Sequence, residues 1–183
     1  MLKLGIMISG RGSNMAAILA AIQAGQLQAE VALVISNKPT AKGLEIAQHY
    51  GVPTRVSTDE IEMVRALQDA GVDWVVLAGY MRIVGPSLLR AFPNRLLNIH
   101  PSLLPDFKGL HAQRQALEAG VSRSGCTTHL VIEQLDSGQI LKQAEVPILP
   151  GDTEDTLSER ILVQEHRILV ETLKEIAYNF KPK

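Results

Sequence analysis

Leu4-Gly5-Ile6-Met7-Ile8-Ser9-Gly10-Arg11-Gly12-Ser13-Asn14 is the stretch that decides the fold. Leu4 to Ile8 is a short apolar run bounded by a glycine turn, the mark of a buried strand. From Asn14 to Ala24 the pattern becomes helical. A strand that passes through a glycine loop into a helix is the opening unit of a βαβ fold. The chain then repeats that unit. Glu30 to Ser36 (EVALVIS) reads as a second strand, Ala41 to Tyr50 as a helix stopped by Gly51, and Pro53 to Val56 as a brief third strand. Asp59 to Ala70 is amphipathic, with Ile61, Val64 and Leu67 at helical spacing and Gly71 as the stop. Trp74 to Ala78 (WVVLA) and Leu96 to His100 supply a fourth and a fifth strand. This alternation predicts a parallel sheet flanked by helices.

After a helix over Ala112 to Ala119, the alternation changes. Two strand-like runs, Thr127 to Glu133 and Ile140 to Val146, follow closely with Asp136-Ser137-Gly138 between them. That spacing is consistent with an antiparallel pair. Thr153 to Ala177 closes the chain as a long helix. No linker, internal repeat or low-complexity segment interrupts this order, so residues 1–183 are expected to form one domain.

Composition narrows the function classes. Hydrophobic residues make up 46% and charged residues 20%, a globular mix, and the net charge is -1. A general nucleic-acid binder carries a basic excess, so no nucleic-acid partner is expected. The apolar start, Met1 to Ile8, is too short for a signal peptide or a membrane span. One cysteine, Cys126, forms no internal disulfide and suits a reducing cytosol. The expected location is therefore cytoplasmic. Five histidines (His49, His100, His111, His129, His166) show no HExxH or paired-ligand spacing, and no metal is expected.

Three stretches carry chemistry. The Ser9–Asn14 loop aims backbone N–H groups and a helix N-terminus at one spot, and its glycines allow an anion close approach. The pattern Gly10-x-Gly12 runs on to Met15 rather than a third glycine, which favours a single phosphate ester over a dinucleotide. The alternative is a tight turn with Ser13 or Asn14 as the helix cap. Second, Asn98 and His100 lie two apart in a strand and share a face, with Leu97 and Ile99 on the other. Strand ends of this kind bind ligands in open α/β sheets. An imidazole and an amide side by side can stabilise an oxyanion and move a proton. Third, Asp136 lies in a turn from which it could reach His100 and favour the imidazolium. On the residues alone, the stronger reading is an ordinary turn aspartate. His129 shares a face with Thr127 and Val131 and reads as support for the site. Trp74 is assigned to the core, and Cys126 to an inert position.

The segments ISGRGSN (8–14), LAGYMRIV (77–84), NIHPSLLP (98–105), HLVIEQLDSG (129–138) and QEH (164–166) occur in that order. Together they resemble the folate-dependent phosphoribosylglycinamide formyltransferases, over nearly the whole chain. The resemblance implies an α/β fold with a Rossmann-like, mostly parallel twisted sheet, flanked by helices and with an antiparallel C-terminal edge. It implies transfer of a formyl group from 10-formyltetrahydrofolate, a co-substrate, to the amine of glycinamide ribonucleotide in purine synthesis. It implies a catalytic trio of Asn98, His100 and Asp136. Gly12, Ser13, Asn14 and Glu165 would contact the ribonucleotide. Met81, Arg82, Ile83 and Val84, with the loop Leu135, Asp136, Ser137, Gly138, Gln139 and Ile140, would border the folate. Two positions depart from the family pattern. Leu162 stands where a longer polar residue near the nucleotide is expected, and Ser137 stands where glycine is common. Relatives acting on tRNA or hydrolysing formyl-folate carry an added domain for which 183 residues leave no room. A bare nucleotide-binding module would leave the trio without work. The expected partners are the two small substrates, with the protein a monomer or homodimer.

Overall fold

The structure, a computed structural model, describes residues 1–182. Strand β1 (Leu2–Ile8) lies inside a seven-stranded sheet with β2 (Ala29–Ser36), β3 (Thr54–Val56), β4 (Trp74–Leu77), β5 (Leu96–His100), β6 (Arg123–Leu130) and β7 (Ile140–Pro147), in the order β3-β2-β1-β4-β5-β6-β7. β1 pairs in parallel with β2 and β4, and only Lys3 of its residues is less than buried. Cover on both faces explains why β1 reads as an unbroken apolar run. The helices are α1 (Ser13–Gln23), α2 (Gly43–His49), α3 (Glu60–Asp69), α4 (Pro86–Ala91), α5 (Ala112–Glu118) and α6 (Glu154–Asn179).

The sheet separates two apolar layers. On one face Leu4, Ile6, Val76, Leu97 and Ile99 pack with α1 and the α6 residues Leu157, Ile161, Ile168, Leu169 and Leu173. On the other, Met7, Ile35, Val75, Leu77 and Leu96 pack with Met63 and Leu67 of α3 and Leu88 and Phe92 at α4. α6 is fixed at its start by a reciprocal Thr153–Thr156 capping box.

The chain leaves β1 toward β2 and β3, then returns to place β4 on β1's other side. The carboxyl ends of β1 and β4 therefore diverge into separate loops at a topological switch point, where open α/β sheets bind ligands. β5 adds in parallel to β4, while β6 and β7 run antiparallel. The mostly parallel sheet and antiparallel edge are as expected.

Four details differ from the sequence reading. α4 was not anticipated: it is six residues long, and Gly85-Pro86 was its one start signal. β6 spans Arg123–Leu130 rather than Thr127 to Glu133. Its polar first half is held by pairing with β7, from Arg123↔Pro147 onward, which local propensity does not register. The β6–β7 connection is accordingly residues 131–139, longer than a tight turn. On α3 the buried stripe is Met63, Ala66 and Leu67, and Ile61 points to solvent at 65% exposure. Trp74 is only partly buried, against the rim of the first layer.

Candidate active site

β5 presents Leu96, Asn98 and His100 to one face, with Leu97 and Ile99 on the other. β6 then sets His129 directly opposite Asn98, and Thr127 opposite His100. Opposed residues of an antiparallel pair share a face, so the pairing alone gathers two histidines and an amide.

Asp136 joins them from the 131–139 loop. Its backbone is left-handed at φ 48, a conformation Asp tolerates better than most residues. The turn drives the carboxylate inward, where it is 9% exposed. Oδ2 lies 3.6 Å from His100 Nδ1, and Oδ1 lies 3.6 Å from His129 Nε2. The Gly109 N–H donates to Oδ2 at 2.8 Å. At 3.6 Å the carboxylate is beyond direct hydrogen bonding to either ring, yet it lies close to both.

Each ring is oriented by a carbonyl, and the proton positions follow from those acceptors. His100 Nε2–H donates to the Phe107 carbonyl at 2.8 Å, which turns Nδ1 toward Asp136. His129 Nδ1–H donates to the Leu130 carbonyl at 3.0 Å. Its Nε2 then accepts from the Asn98 amide at 3.3 Å. Burial lowers the His129 pKa, and His100 pushes the same way against the opposing pull of Leu130 and Asp136. A neutral His129 uses one Asn98 N–H and leaves the other free.

The loop after His100 is held by residues that the sequence reading did not single out for this task. Thr127 Oγ1 donates to the Ser102 carbonyl at 2.7 Å and accepts from the Leu104 N–H at 3.1 Å. Gln143 Nε2 donates to the Leu104 carbonyl at 2.9 Å. The one local hint was that Thr127 alternates with His129 along a strand.

The Ser9–Asn14 loop leaves β1 two strands away from β5, about 10 Å at normal strand spacing. Gly12 is the N-cap of α1 at φ 73, and no side chain caps the helix. The alternative reading of Ser13 or Asn14 as the cap is therefore incorrect. Asn14 instead points at α6, donating from Nδ2 to Glu165 Oε1 at 3.2 Å, while its buried Oδ1 has no partner. Uncapped first-turn N–H groups form an anion-receiving end. Glycine at position 12 also has a packing cause. A Cβ there would lie 2.8 Å from the Gly43 Cα at the start of α2.

Glu165 falls on the buried stripe of α6, between Ile161 and Ile168. Burial raises its pKa to about 7, opposed by the Asn14 hydrogen bond. Leu162, one turn earlier, is half-buried. Cys126 is fully buried with its thiol pushed up to about 12 by burial, and Glu165 adds to the shift, as suits an inert position.

The proposed folate border is open. Met81, Arg82 and Ile83 are exposed, and the Met81 N–H donates to Ser9 Oγ at 2.8 Å. In the other segment Leu135, Gln139 and Ile140 are exposed, with Ser137 and Gly138 half-buried. Ser137 Oγ donates to the Leu135 carbonyl and accepts from Lys108 Nζ, both at 2.8 Å. Among the described residues no group of three His, Cys, Asp or Glu is placed to hold a metal ion. No described helix is long and apolar enough to cross a membrane.

Residues 2–173 match the formyl transferase family. The chain is 41% identical over 172 residues to the phosphoribosylglycinamide formyltransferase of Escherichia coli K12, covering 89% of this chain and 81% of that protein. It is 48% identical over 175 residues to the trifunctional purine biosynthetic protein adenosine-3 of Drosophila pseudoobscura pseudoobscura, where the match covers 90% of this chain but only 13% of that protein. The crystal structure of glycinamide ribonucleotide transformylase 1 from Symbiobacterium toebii superposes with a TM-score of 0.95 at 48% identity, covering 97% of this chain and 88% of that one.

Proposed function

From the premise that this chain belongs to the formyl transferase family, we propose that it transfers the formyl group of 10-formyltetrahydrofolate to the amine of glycinamide ribonucleotide, in purine biosynthesis. The observation that carries this reading is the meeting of Asn98, His100, His129 and Asp136 between an anion-receiving helix start and an open apolar rim. A phosphorylated amine fits the first of these and a flat heterocycle fits the second.

The ribonucleotide phosphate is received by the N–H groups at Gly12, Ser13 and Asn14. Glu165, hydrogen-bonded to Asn14 behind that helix start, is the acidic residue on the ribonucleotide side. Leu162 adds no polar contact. The folate lies along Met81–Val84 and under the Leu135–Ile140 loop. Attack of the neutral amine on the formyl carbon forms a C–N bond and places negative charge on the formyl oxygen. The free N–H of Asn98 and the His100 ring, held beside the Asp136 carboxylate, stabilise that oxyanion. The attacking nitrogen gives up a proton, the folate nitrogen gains one, and the C–N bond to folate breaks. Asp136, with a water bound beside it, relays the proton. Fixing two substrates in one cleft supplies much of the rate by proximity. The cysteine usage fits a cytoplasmic enzyme, working as a monomer or homodimer.

The test is direct. The protein is incubated with both substrates, and formylated ribonucleotide and tetrahydrofolate are measured. Both should appear in equal amounts. Free formate without formylated ribonucleotide would instead assign hydrolysis of the folate.

A further inference from the structure

Met81–Val84 lies in no helix or strand and is mostly solvent-exposed, so its own residues do not explain its position. The structure holds it from outside, at both ends. At the start, the Met81 N–H donates to Ser9 Oγ at 2.8 Å, and the Ser9 hydroxyl in turn donates to Asn37 Oδ1 at 2.6 Å. Ser9 is 4% exposed, so this joint is shielded from solvent. At the far end, Glu60 reaches across from the first turn of α3. Its Oε2 accepts from the Gly85 N–H at 2.6 Å, and its Oε1 from the Leu88 N–H at 3.0 Å.

Glu60 therefore does for α4 what an N-cap side chain usually does. Gly85 is the N-cap residue and carries no capping side chain, so a residue 25 positions earlier supplies the acceptor. The contact is close enough to exclude a side chain, since a Cβ at Gly85 would lie 2.6 Å from the Glu60 carboxylate. α4 is too short at six residues to be stable on its own account. Without Glu60, the start of α4 and the segment leading into it lose their fixed end.

We propose that Ser9 and Glu60 are positioning residues for the folate co-substrate, clamping the two ends of Met81–Val84 so that its backbone meets the heterocycle in a fixed register. This rests on the reading of that segment as the folate border. Neither residue touches the reacting atoms. The two differ in one respect. Ser9 also begins the loop that leads to Gly12 and Asn14, so it joins the two substrate sites, whereas Glu60 serves the folate side alone.

The experiment compares E60A, E60Q and S9A with the unaltered enzyme. Tetrahydrofolate affinity is measured by calorimetry, and kcat and both KM values are measured in the transfer assay. E60A should bind tetrahydrofolate about tenfold more weakly, the scale of a lost charge-assisted hydrogen bond. Its kcat at saturation should change less than about twofold and its ribonucleotide KM should not move, as loss of uniform binding requires. E60Q keeps the volume and one acceptor oxygen, should fall between the two, and decides the matter if E60A does not fold. S9A should raise both KM values. Folded E60A and E60Q with unaltered tetrahydrofolate affinity, however lowered their melting temperatures, would overturn the clamp and leave the transfer function standing. An unaltered enzyme that fails to bind tetrahydrofolate would overturn the functional reading, and the clamp with it.

Discussion

The proposed catalytic corner and the Ser9–Asn14 loop are built from different material. At the corner, side chains hold side chains: His129 sets the Asn98 amide, and Asp136 lies between two imidazoles. The two imidazoles and the amide hang from a backbone that β5 and β6 already fix, and the 131–139 loop brings Asp136 to them. In the loop, the backbone is itself the proposed binding surface, and Gly12 both turns the chain and packs on Gly43. Chemistry and fold are thus separable at the corner and shared at the loop. Substitutions in the first should remove activity from a folded protein. Substitutions in the second should damage binding and stability together.

The largest effect is expected at His100. His100→Ala should lower kcat on the order of a hundredfold or more, the usual cost of one oxyanion-stabilising group, while both substrates still bind. Steady-state kinetics alongside equilibrium binding checks this. A rise in KM with kcat preserved would move His100 from chemistry to binding and erase the contrast.

Gly12→Val comes next. The left-handed backbone and the approach to Gly43 should cost roughly 1–3 kcal/mol in denaturant melts. The ribonucleotide KM should rise in the same variant. Weakened binding with an unchanged melt would show that glycine is needed only for room at the phosphate, and would separate what the comparison joins.

Glu165 gives a pH signature. Its folded pKa, about 7, lies above the unfolded glutamate value. The folded state therefore holds the proton more tightly, and stability falls as pH rises from the ordinary glutamate range through about 7. Glu165→Gln should flatten that part of the stability curve, as read by melts at fixed ionic strength. An unchanged slope would assign the pH dependence to other groups.

The smallest effect belongs to Ile61. Exposed on α3, it should tolerate Ser within about 0.5 kcal/mol. A loss of 2 kcal/mol or more in melts would restore the buried face that its helical spacing suggested.

What the sequence disclosed and what it withheld divide along the same physical line. β1, β2 and β4 were legible because strands covered on both faces leave largely apolar runs. The shared face of Asn98 and His100 was legible because strand periodicity is local. Asp136 could not be placed by its neighbours: its approach to His100 depends on how β6 pairs with both β5 and β7. The Asn14–Glu165 contact spans 151 positions, and the family resemblance alone linked those residues to one site. Glu60, Gly43 and Gln143 carried no local mark, because each acts on backbone brought to it from elsewhere in the chain. α4 was missed because six residues carry too little periodicity to be seen.

The central claim is that Asp136 acts in the chemistry rather than in binding, and Asp136→Asn tests it most directly. Asn tolerates the left-handed backbone, keeps an acceptor for the Gly109 N–H, and loses the negative charge and the proton-accepting group. The measurement is single-turnover transfer by D136N, H100A and the double variant, with dissociation constants for both substrates. The account predicts a loss on the order of a hundredfold or more in D136N with both dissociation constants nearly unchanged. The double variant should lose far less than the product of the two single losses, since the residues act as a unit. Normal transfer by D136N would remove Asp136 from the mechanism, and fully multiplicative losses would show that it and His100 work independently.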